Sequence, residues 1–181
     1  MLFINNISLT SADVANLADF KAAVSNTTIN TINLTGDITT AEELVVSRAV
    51  TINGNGHAIT FTGNDEDWQG NYVLQIYNTT GVAISNIKLS GADGGLLVNA
   101  SAVTLTGTIN VSDNEFGGIE VSKGTAEGLP DPSLTATGVS FTNTSEKYGQ
   151  PTIWEDKITR TVTVAEGIFT LNYTFKSDQV Q

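Results

Sequence analysis

Short runs in which apolar and polar residues alternate recur along most of this chain, separated by corners rich in Asn and Gly. The clearest run extends from Ala49 to Gly63 (AVTINGNGHAITFTG), where two alternating segments flank the corner NGNG at 53–56. Alternation of β-branched and polar residues predicts half-buried strands, and clusters of Asn and Gly predict tight turns. The pattern therefore predicts a chain built from many short strands.

The same positions are apolar in successive copies of this run, which indicates a repeating unit. In the middle strand of each unit the apolar pairs are Val50/Ile52, Val82/Ile84, Val103/Leu105, Leu134/Ala136 and Val162/Val164. In the third strand they are Ile59/Phe61, Ile87/Leu89, Ile109/Val111 and Val139/Phe141. Three short strands per turn with stacked apolar positions predict an all-β, parallel solenoid of about five turns, roughly 24 Å tall. An antiparallel sandwich built from the same strands is the alternative.

One helix is predicted near the N-terminus, where apolar residues follow helical spacing from Val14 to Val24. Ser11 is a suitable N-cap, and Asp13 falls in the predicted first turn. We therefore expect a helix over residues 11–25. It would cap one end of the solenoid, because a bare strand edge invites uncontrolled pairing.

The predicted elements form a single domain over residues 1–181, since a chain of this length can bury one substantial core. Solenoid turns are predicted over 28–165. The segment 167–181 is predicted to form a closing strand or an assembly strand. In the second case the segment would pair with the exposed edge of another copy, and the chain would be a self-assembling filament subunit that uses its terminal strands.

The composition limits the possible partners. The net charge is −11 and only 15% of the residues are charged. Such an acidic surface repels nucleic acid phosphates and anionic lipids, so neither is expected as a partner. The chain has no cysteine and no apolar run long enough to span a membrane. The N-terminal residues lack the basic start of a signal peptide, so we expect any export signal to be absent from this sequence.

The rung AVTINGNGHAITF at 49–61 resembles the rungs of right-handed parallel β-helix proteins of the pectate-lyase-like superfamily. The resemblance covers residues 11–165 and is closest to the non-catalytic, adhesive-type modules of bacterial surface proteins, which open with a capping helix. In such folds asparagines stack at a short turn. Asn53 and Asn86 resemble this turn, whereas Gly107 and Gly138 take the place in later rungs.

The resemblance implies a right-handed β-helix exposed outside the cell or on its surface, with a structural or adhesive role. Its partner would be a glycan, another component of the cell surface or extracellular matrix, or other copies of the chain. The resemblance alone carries no activity, because one fold hosts many functions.

Insertions between the third strand of one turn and the first strand of the next are predicted to stack along one edge of the solenoid. Loops on one edge are the usual binding region of such folds. The acids Asp65, Asp67, Asp93 and Asp113 collect there and form a candidate Ca²⁺ site, since carboxylate oxygens suit that ion. The alternative is a solvated acidic edge, because no calcium-loop motif is present. No cofactor is otherwise required.

Four aromatic residues fall on the same predicted edge, namely Trp68, Tyr72, Phe116 and Tyr148. Flat aromatic faces can pack on sugar rings, so these residues form a candidate glycan-binding surface. Ordinary packing between loops is the alternative. Outward threonines such as Thr51, Thr104 and Thr135 also form a strip that resembles ice-binding faces, although threonine is common on the solvent side of strands.

Catalysis is not expected. Uronate lyases of the superfamily combine calcium-binding acids with a base that takes the α-proton. By the rung alignment, Arg48 and Arg160 lie away from the insertion-rich edge, and His57 lies on the opposite corner. A calcium-dependent, lyase-like enzyme acting on polysaccharides is the alternative function.

Overall fold

A computed structural model describes residues 10–63, 68–123, 127–143, 152–155, 161–165 and 168–171. Within these residues the protein is all-β apart from one helix, α1 (Leu17–Ser25). The strands in chain order are β1 (Thr10–Val14), β2 (Ile29–Leu34), β3 (Ile38–Thr40), β4 (Leu44–Val46), β5 (Val50–Asn53), β6 (Ala58–Phe61), β7 (Tyr72–Tyr77), β8 (Val82–Ser90), β9 (Gly94–Asn99), β10 (Ala102–Asn110), β11 (Gly117–Ser122), β12 (Ser133–Thr137), β13 (Ser140–Asn143), β14 (Ile153–Glu155), β15 (Thr161–Ala165) and β16 (Ile168–Leu171).

The strands form two sheets, and every strand pairing among the described residues is parallel. The five-stranded sheet has the order β14-β11-β9-β7-β4. The eleven-stranded sheet follows the path β1-β2-β5-β8-β10-β12-β15, with β3 and β6 joined through β8 and with β13 and β16 joined through β10. Strands pair with their equivalents in the next repeat, so parallel pairing is confirmed and the antiparallel sandwich is excluded.

Two long strands correct the prediction of three separate short strands per turn. The sequence predicts one strand over 82–86 and another over 87–90, whereas the structure has the single nine-residue strand β8. Strand β10 likewise replaces two predicted strands. The chain turns inside β8 at Asn86 (φ 49°) and inside β10 at Gly107 (φ 70°). A single left-handed residue turns the corner without interrupting the parallel pairing on either side.

The predicted apolar columns of the middle and third strands form the core. All the predicted pairs are buried up to Phe141, and Ile52, Ile59 and Leu105 are 0% exposed. Inward residues of both sheets, such as Ile76 and Ile84, belong to one continuous hydrophobic cluster. This part of the prediction is confirmed. Val162 and Val164 follow the same register on β15, opposite Leu134 and Ala136.

The predicted bounds of the helix, 11–25, were wrong at the N-terminal end. Thr10–Val14 is strand β1 and pairs in parallel with β2, because its alternation places Val14 in the core beside Leu34. The helix begins at Leu17, with Asn16 as its N-cap in place of Ser11; the Asn16 side chain accepts a hydrogen bond from the Asp19 amide at 3.0 Å. Helical spacing and strand alternation overlap in this segment, and pairing with β2 decides the outcome.

The side chain of Arg48 joins the end of the helix to the first repeat. Its guanidinium donates to the carbonyl oxygens of Val24 (2.7 Å), Ala23 (2.8 Å) and Ile29 (2.7 Å). The last carbonyl groups of a helix have no partner within the helix, and the planar guanidinium can satisfy several at once. Arg48 therefore holds α1 against the N-terminal end of the stack.

A polar ladder runs along one corner, but its members differ from the predicted pair Asn53 and Asn86. Asn53 donates to Asn33 at 2.9 Å, Asn33 donates to Asp13 at 3.1 Å, and Ser85 donates to Asn53 at 3.2 Å. The partner of Asn53 in the next repeat is therefore Ser85. Asn86 lies one position further on, in a left-handed conformation that Gly107 and Gly138 also adopt.

The C-terminal segment predicted over 167–181 is described only in part. Strand β16 (Ile168–Leu171) pairs in parallel with β13 of the same chain. The rest of the segment, residue 167 and residues 172–181, lies outside the described residues. The choice between a closing strand and an assembly strand stays a prediction.

Candidate binding face on the five-stranded sheet

Aromatic and polar side chains meet on the outer surface of the five-stranded sheet. Its central row contains one residue from each of four neighbouring strands, and each residue is paired in register with the next: Val45, Gln75, Leu97 and Glu120. These residues alternate with buried neighbours such as Ile76 and so face away from the core. We call this surface the outer sheet face.

Two glycines in register on neighbouring strands leave space for the large side chain of Tyr72 on this face. Tyr72 on β7 lies in register with Gly94 on β9, which lies in register with Gly117 on β11. The Tyr72 hydroxyl donates a hydrogen bond to the Glu120 carboxylate on β11. Because neither glycine has a side chain, the ring can cross above them to reach Glu120, and both glycines are buried.

The environment of Tyr72 keeps its hydroxyl protonated. Burial, followed by the hydrogen bond to Glu120 and the negative charge of that carboxylate, raises the pKa of Tyr72 well above its usual range. A neutral phenol can donate a hydrogen bond to a carboxylate, whereas a phenolate cannot. Tyr72 therefore remains a hydrogen-bond donor over a wider pH range than an ordinary tyrosine.

Two further aromatic residues complete a cluster with Tyr72. The Trp68 ring meets the Phe116 ring edge-on, with centroids 5.3 Å apart, and meets the Tyr72 ring edge-on at 6.1 Å. Both geometries belong to the favourable T-shaped class. Trp68 nevertheless remains 51% exposed. The cluster thus holds a large indole in place while leaving half of its surface in contact with solvent.

A chain of hydrogen bonds crosses the outer sheet face beside the aromatic cluster. Asn99 donates to Gln75 at 2.8 Å, and Gln75 donates to Glu43 at 2.9 Å. Each end of the chain carries one buried acceptor, Glu43 Oε1 and Asn99 Oδ1, without a hydrogen-bond partner among the described residues. Burial raises the pKa of Glu43, and the hydrogen bond from Gln75 opposes this shift. Buried acceptors of this kind favour a ligand that brings hydrogen-bond donors.

Asp93 fixes the loop that carries Trp68. Its side chain is completely buried, and its Oδ2 atom accepts hydrogen bonds from the backbone amides of Gln69 (2.8 Å) and Asn71 (2.9 Å). The buried Asn114 supports the following turn by donating to the carbonyl oxygens of Leu89 and Val111, both at 2.9 Å. The approach to β7 is therefore held by buried polar groups.

The four predicted calcium ligands have different environments. Asp65 and Asp67 lie outside the described residues. Asp93 binds backbone amides, as described above, and Asp113 pairs with Lys88 at 3.0 Å while remaining exposed. Among the residues that the structure describes, no group of three or more acidic or His side chains is arranged to hold a metal ion. Calcium binding stays a prediction.

Three of the four predicted aromatic residues come together, namely Trp68, Tyr72 and Phe116. Tyr148 lies outside the described residues. The sequence analysis did not single out the other residues of this face, which are Glu43 just before β4 and Gln75, Leu97, Asn99 and Glu120 on the strands. A partial signal was present, since β7, β9 and β11 each carry a polar residue on this face (Gln75, Asn99 and Glu120), but attention to the loops alone misses it.

Comparison with known proteins identifies the family. No helix in the described part of the chain is long and apolar enough to cross a membrane. No curated protein and no solved structure significantly matches the chain. One family model matches residues 11–180, which is most of the sequence, and this match confirms the resemblance drawn from the rungs. The chain therefore belongs to the family described as "putative pectate lyase-like adhesive domain".

Proposed function

We propose that this protein is a non-catalytic adhesive module that acts outside the cell and binds a glycan through the outer sheet face. The observation that carries the proposal is the half-exposed indole of Trp68, held edge-on by Phe116 and Tyr72. An ordered aromatic side chain offers a large contact area at a small entropic cost on binding. Such a surface suits the apolar face of a sugar ring.

The proposed architecture is a right-handed parallel β-helix of about five turns. Two observations support it: strands pair with their equivalents in the next repeat, and inward residues of both sheets share one core cluster. Parallel strands of one sheet require crossover connections, and these are right-handed in about 98% of cases. Stacked turns of this kind would align the first strands of successive turns, which places the outer sheet face along the side of the coil.

Charge narrows the class of glycan. The sequences of β4, β7, β9, β11 and β14 contain no Lys, Arg or His. Glu120 lies at the centre of the face and Glu43 at its side. Carboxylates without a nearby base repel a polyuronate and tolerate neutral or amino sugars. We therefore propose a neutral or amino-substituted glycan as the ligand.

The same charges support a non-catalytic role. Proton abstraction beside a uronate carboxyl needs a base within reach of the substrate. Two of the basic groups considered from the sequence have other contacts: Arg48 binds the end of α1, and His57 Nδ1 lies 3.2 Å from an oxygen of Asp37. Arg160 lies outside the described residues. Absorbance of unsaturated products during incubation with polygalacturonate measures lyase activity directly, and a rate above that of buffer would overturn this part of the proposal.

Replacement of Trp68 by Ala is the decisive test. Truncation of a central aromatic contact typically costs more than about 1.4 kcal/mol, so affinity should fall at least about tenfold. Binding would be measured by titration calorimetry with three kinds of oligosaccharide in solution: neutral, amino-substituted and uronic. The comparison variant is Tyr77→Ala. Tyr77 is an exposed aromatic residue (38% exposed) that lies on the same face, in register with Asn99, at the far end of β7 from the aromatic cluster. Its replacement should cost less affinity than that of Trp68.

Two results would contradict the proposal. An affinity of the Trp68→Ala variant equal to that of the unmodified protein would show that the aromatic cluster is not the contact surface. Preferential binding of the uronic oligosaccharide would contradict the argument from charge. Sedimentation of the unmodified protein would show whether copies associate, which is the alternative partner predicted from the terminal strands.

A further inference from the structure

We propose a second binding site, away from the outer sheet face, that accepts a neutral N-acetylated sugar of one or two residues. The site is an open cleft of about 600 Å³ on the eleven-stranded sheet, within the size range of small-molecule sites. Its lining residues are Asn55, Gly56, Asn86, Ile87, Lys88, Thr108 and Asn110. These residues come from the corner before β6 and from strands β8 and β10.

The cleft exists because one corner of the repeat is longer than the next. Between β5 and β6 the chain turns through Gly54, Asn55 and Gly56, whereas in β8 the single residue Asn86 makes the equivalent turn. The longer corner projects beyond the strands and forms one wall. It corresponds to the NGNG motif that is the most distinctive corner of the sequence.

Backbone contacts hold this wall against the following repeat. The amide of Gly56 donates to the Asn86 carbonyl at 2.7 Å, and the amide of Gly54 donates to the Ser85 carbonyl at 2.7 Å. A Cβ atom at Gly54 would lie only 2.4 Å from the Asn86 carbonyl oxygen, so only glycine permits this approach. The cleft is therefore shaped before a ligand arrives, which reduces the entropic cost of binding.

Three asparagine side chains each use one half of the amide for the fold. The Asn55 NH₂ group donates to the Leu34 carbonyl (3.0 Å), the Asn86 Oδ1 atom accepts from the Thr108 amide (3.0 Å), and the Asn110 Oδ1 atom accepts from the Ser112 amide (3.0 Å). These bonds fix the orientation of each amide plane. The other halves, one carbonyl and two NH₂ groups, have no hydrogen-bond partner among the described residues.

This set of groups matches an acetamido substituent. Two NH₂ donors suit the carbonyl oxygen and ring hydroxyls of the ligand, and one amide carbonyl suits its N–H group. The one cation of the cleft, Lys88, is already paired with Asp113 at 3.0 Å. Because that charge is compensated, the cleft provides no net attraction for an anion, and a neutral sugar is favoured over a uronate or a phosphate.

Nuclear magnetic resonance of ¹⁵N-labelled protein tests the site. Titration with N-acetylglucosamine and with its β-1,4-linked dimer should shift the side-chain amide signals of Asn86 and Asn110. Loss of one neutral hydrogen bond corresponds to roughly a two- to tenfold loss in affinity, and this is the effect expected for Asn86→Gly and for Asn55→Gly. Both residues have positive φ angles (49° and 54°), so glycine removes the side chain without straining the backbone.

The matched control is Asn78→Gly, since Asn78 also has a positive φ angle (46°) but does not line the cleft; its affinity should be unchanged. Trp68→Ala should leave the cleft signals unaffected, which separates this site from the outer sheet face. The proposal is overturned if the cleft signals do not shift, if Asn86→Gly binds as well as Asn78→Gly, or if glucuronate binds more tightly than N-acetylglucosamine.

Discussion

The two sheets pack on one core, but the side chains on their outer surfaces differ. On the eleven-stranded sheet one row runs in register through Ser11, Thr31, Thr51, Ala83, Thr104, Thr135 and Thr163. All of these side chains are short and uncharged. On the five-stranded sheet the corresponding row is Val45, Gln75, Leu97 and Glu120, beside three aromatic rings. The first surface therefore repeats one kind of side chain, whereas the second combines aliphatic, polar, acidic and aromatic side chains.

The difference shows which positions the repeat constrains. Inward residues must stack on their equivalents, so both sheets have the same apolar columns. Outward residues are free of that requirement. On the eleven-stranded sheet many of them serve the stack itself, as in the ladder from Asp13 through Asn33 and Asn53 to Ser85, and the proposed cleft is confined to the corner beside β6. On the five-stranded sheet they leave an indole and two buried acceptors available, which is the pattern expected of a recognition surface.

Truncation of the core should affect the two sheets equally and should give the largest effect. Ile84 faces inward from the eleven-stranded sheet and Ile76 from the five-stranded sheet, and they are 1% and 0% exposed. Each replacement by Ala should lower the free energy of unfolding by about 2–5 kcal/mol, because it removes buried methyl groups and leaves a cavity. Denaturant unfolding followed by circular dichroism measures this change.

The comparison would fail if one replacement were nearly silent, since the two sheets would then not share a single cooperative core. Separate transitions for the two variants would lead to the same conclusion. The outward Thr135→Val substitution serves as a reference for a solvent-facing change and should stay within about 0.5 kcal/mol of the wild type.

The sequence was sufficient to predict the stacked columns, because an apolar period of two survives in each copy of the rung. It was insufficient for the helix boundary, where Thr10–Val14 satisfies strand alternation and helical spacing together and the partner strand β2 decides. The candidate site was predicted only in part. The shared edge of Trp68, Tyr72 and Phe116 was predicted from the positions of the loops. The contact of Tyr72 with Glu120 was not, because it joins residues of different repeats across a strand face and no local pattern encodes it.

Removal of the buried carboxylate of Asp93 should lower both the stability of the protein and the glycan affinity of the outer sheet face. In the Asp93→Ala variant the amides of Gln69 and Asn71 lose their buried acceptor, which should cost about 1–3 kcal/mol of folding free energy. The loop that carries Trp68 should also lose its fixed position, so affinity for the glycan should fall together with stability. Thermal unfolding and calorimetric titration provide the two measurements.

Asp113→Gly is the control for loss of an exposed carboxylate, because glycine tolerates the positive φ angle of Asp113 (63°). Asp113 is exposed and contributes an ion pair with Lys88, and exposed pairs contribute only about 0–1 kcal/mol. Its replacement should leave glycan affinity at the outer sheet face unchanged. An Asp93→Ala variant that keeps full affinity would show that the aromatic cluster holds itself in place without the loop anchor.

The smallest expected effect concerns the pH dependence of stability, which should have opposite signs for Glu43 and Asp37. Burial raises the pKa of Glu43 above its ordinary value of 4.5, whereas hydrogen bonds from the Ala58 amide and His57 lower the pKa of Asp37 below 3.8. The native state thus prefers Glu43 protonated and Asp37 ionised. The stabilising contribution of Glu43 is present below pH 4.5 and is lost as the pH rises through its raised pKa. That of Asp37 is present above pH 3.8 and is lost as the pH falls through its lowered pKa.

The variants Glu43→Gln and Asp37→Asn should therefore change stability in opposite directions. Relative to the wild type, Glu43→Gln should gain stability as the pH is raised from 4 to 7, because a neutral amide avoids the cost of burying a charge and keeps an acceptor for Gln75. Asp37→Asn should lose stability relative to the wild type as the pH is raised from about 2.5 to about 5, through the ordinary pKa of Asp37. The loss should be slight, because Asp37 is exposed to solvent. Denaturant midpoints across both pH ranges measure the two changes. Parallel pH profiles would show that the buried end of the hydrogen-bond chain carries no charge penalty, and Glu43 would then be an ordinary surface carboxylate like those of the eleven-stranded sheet.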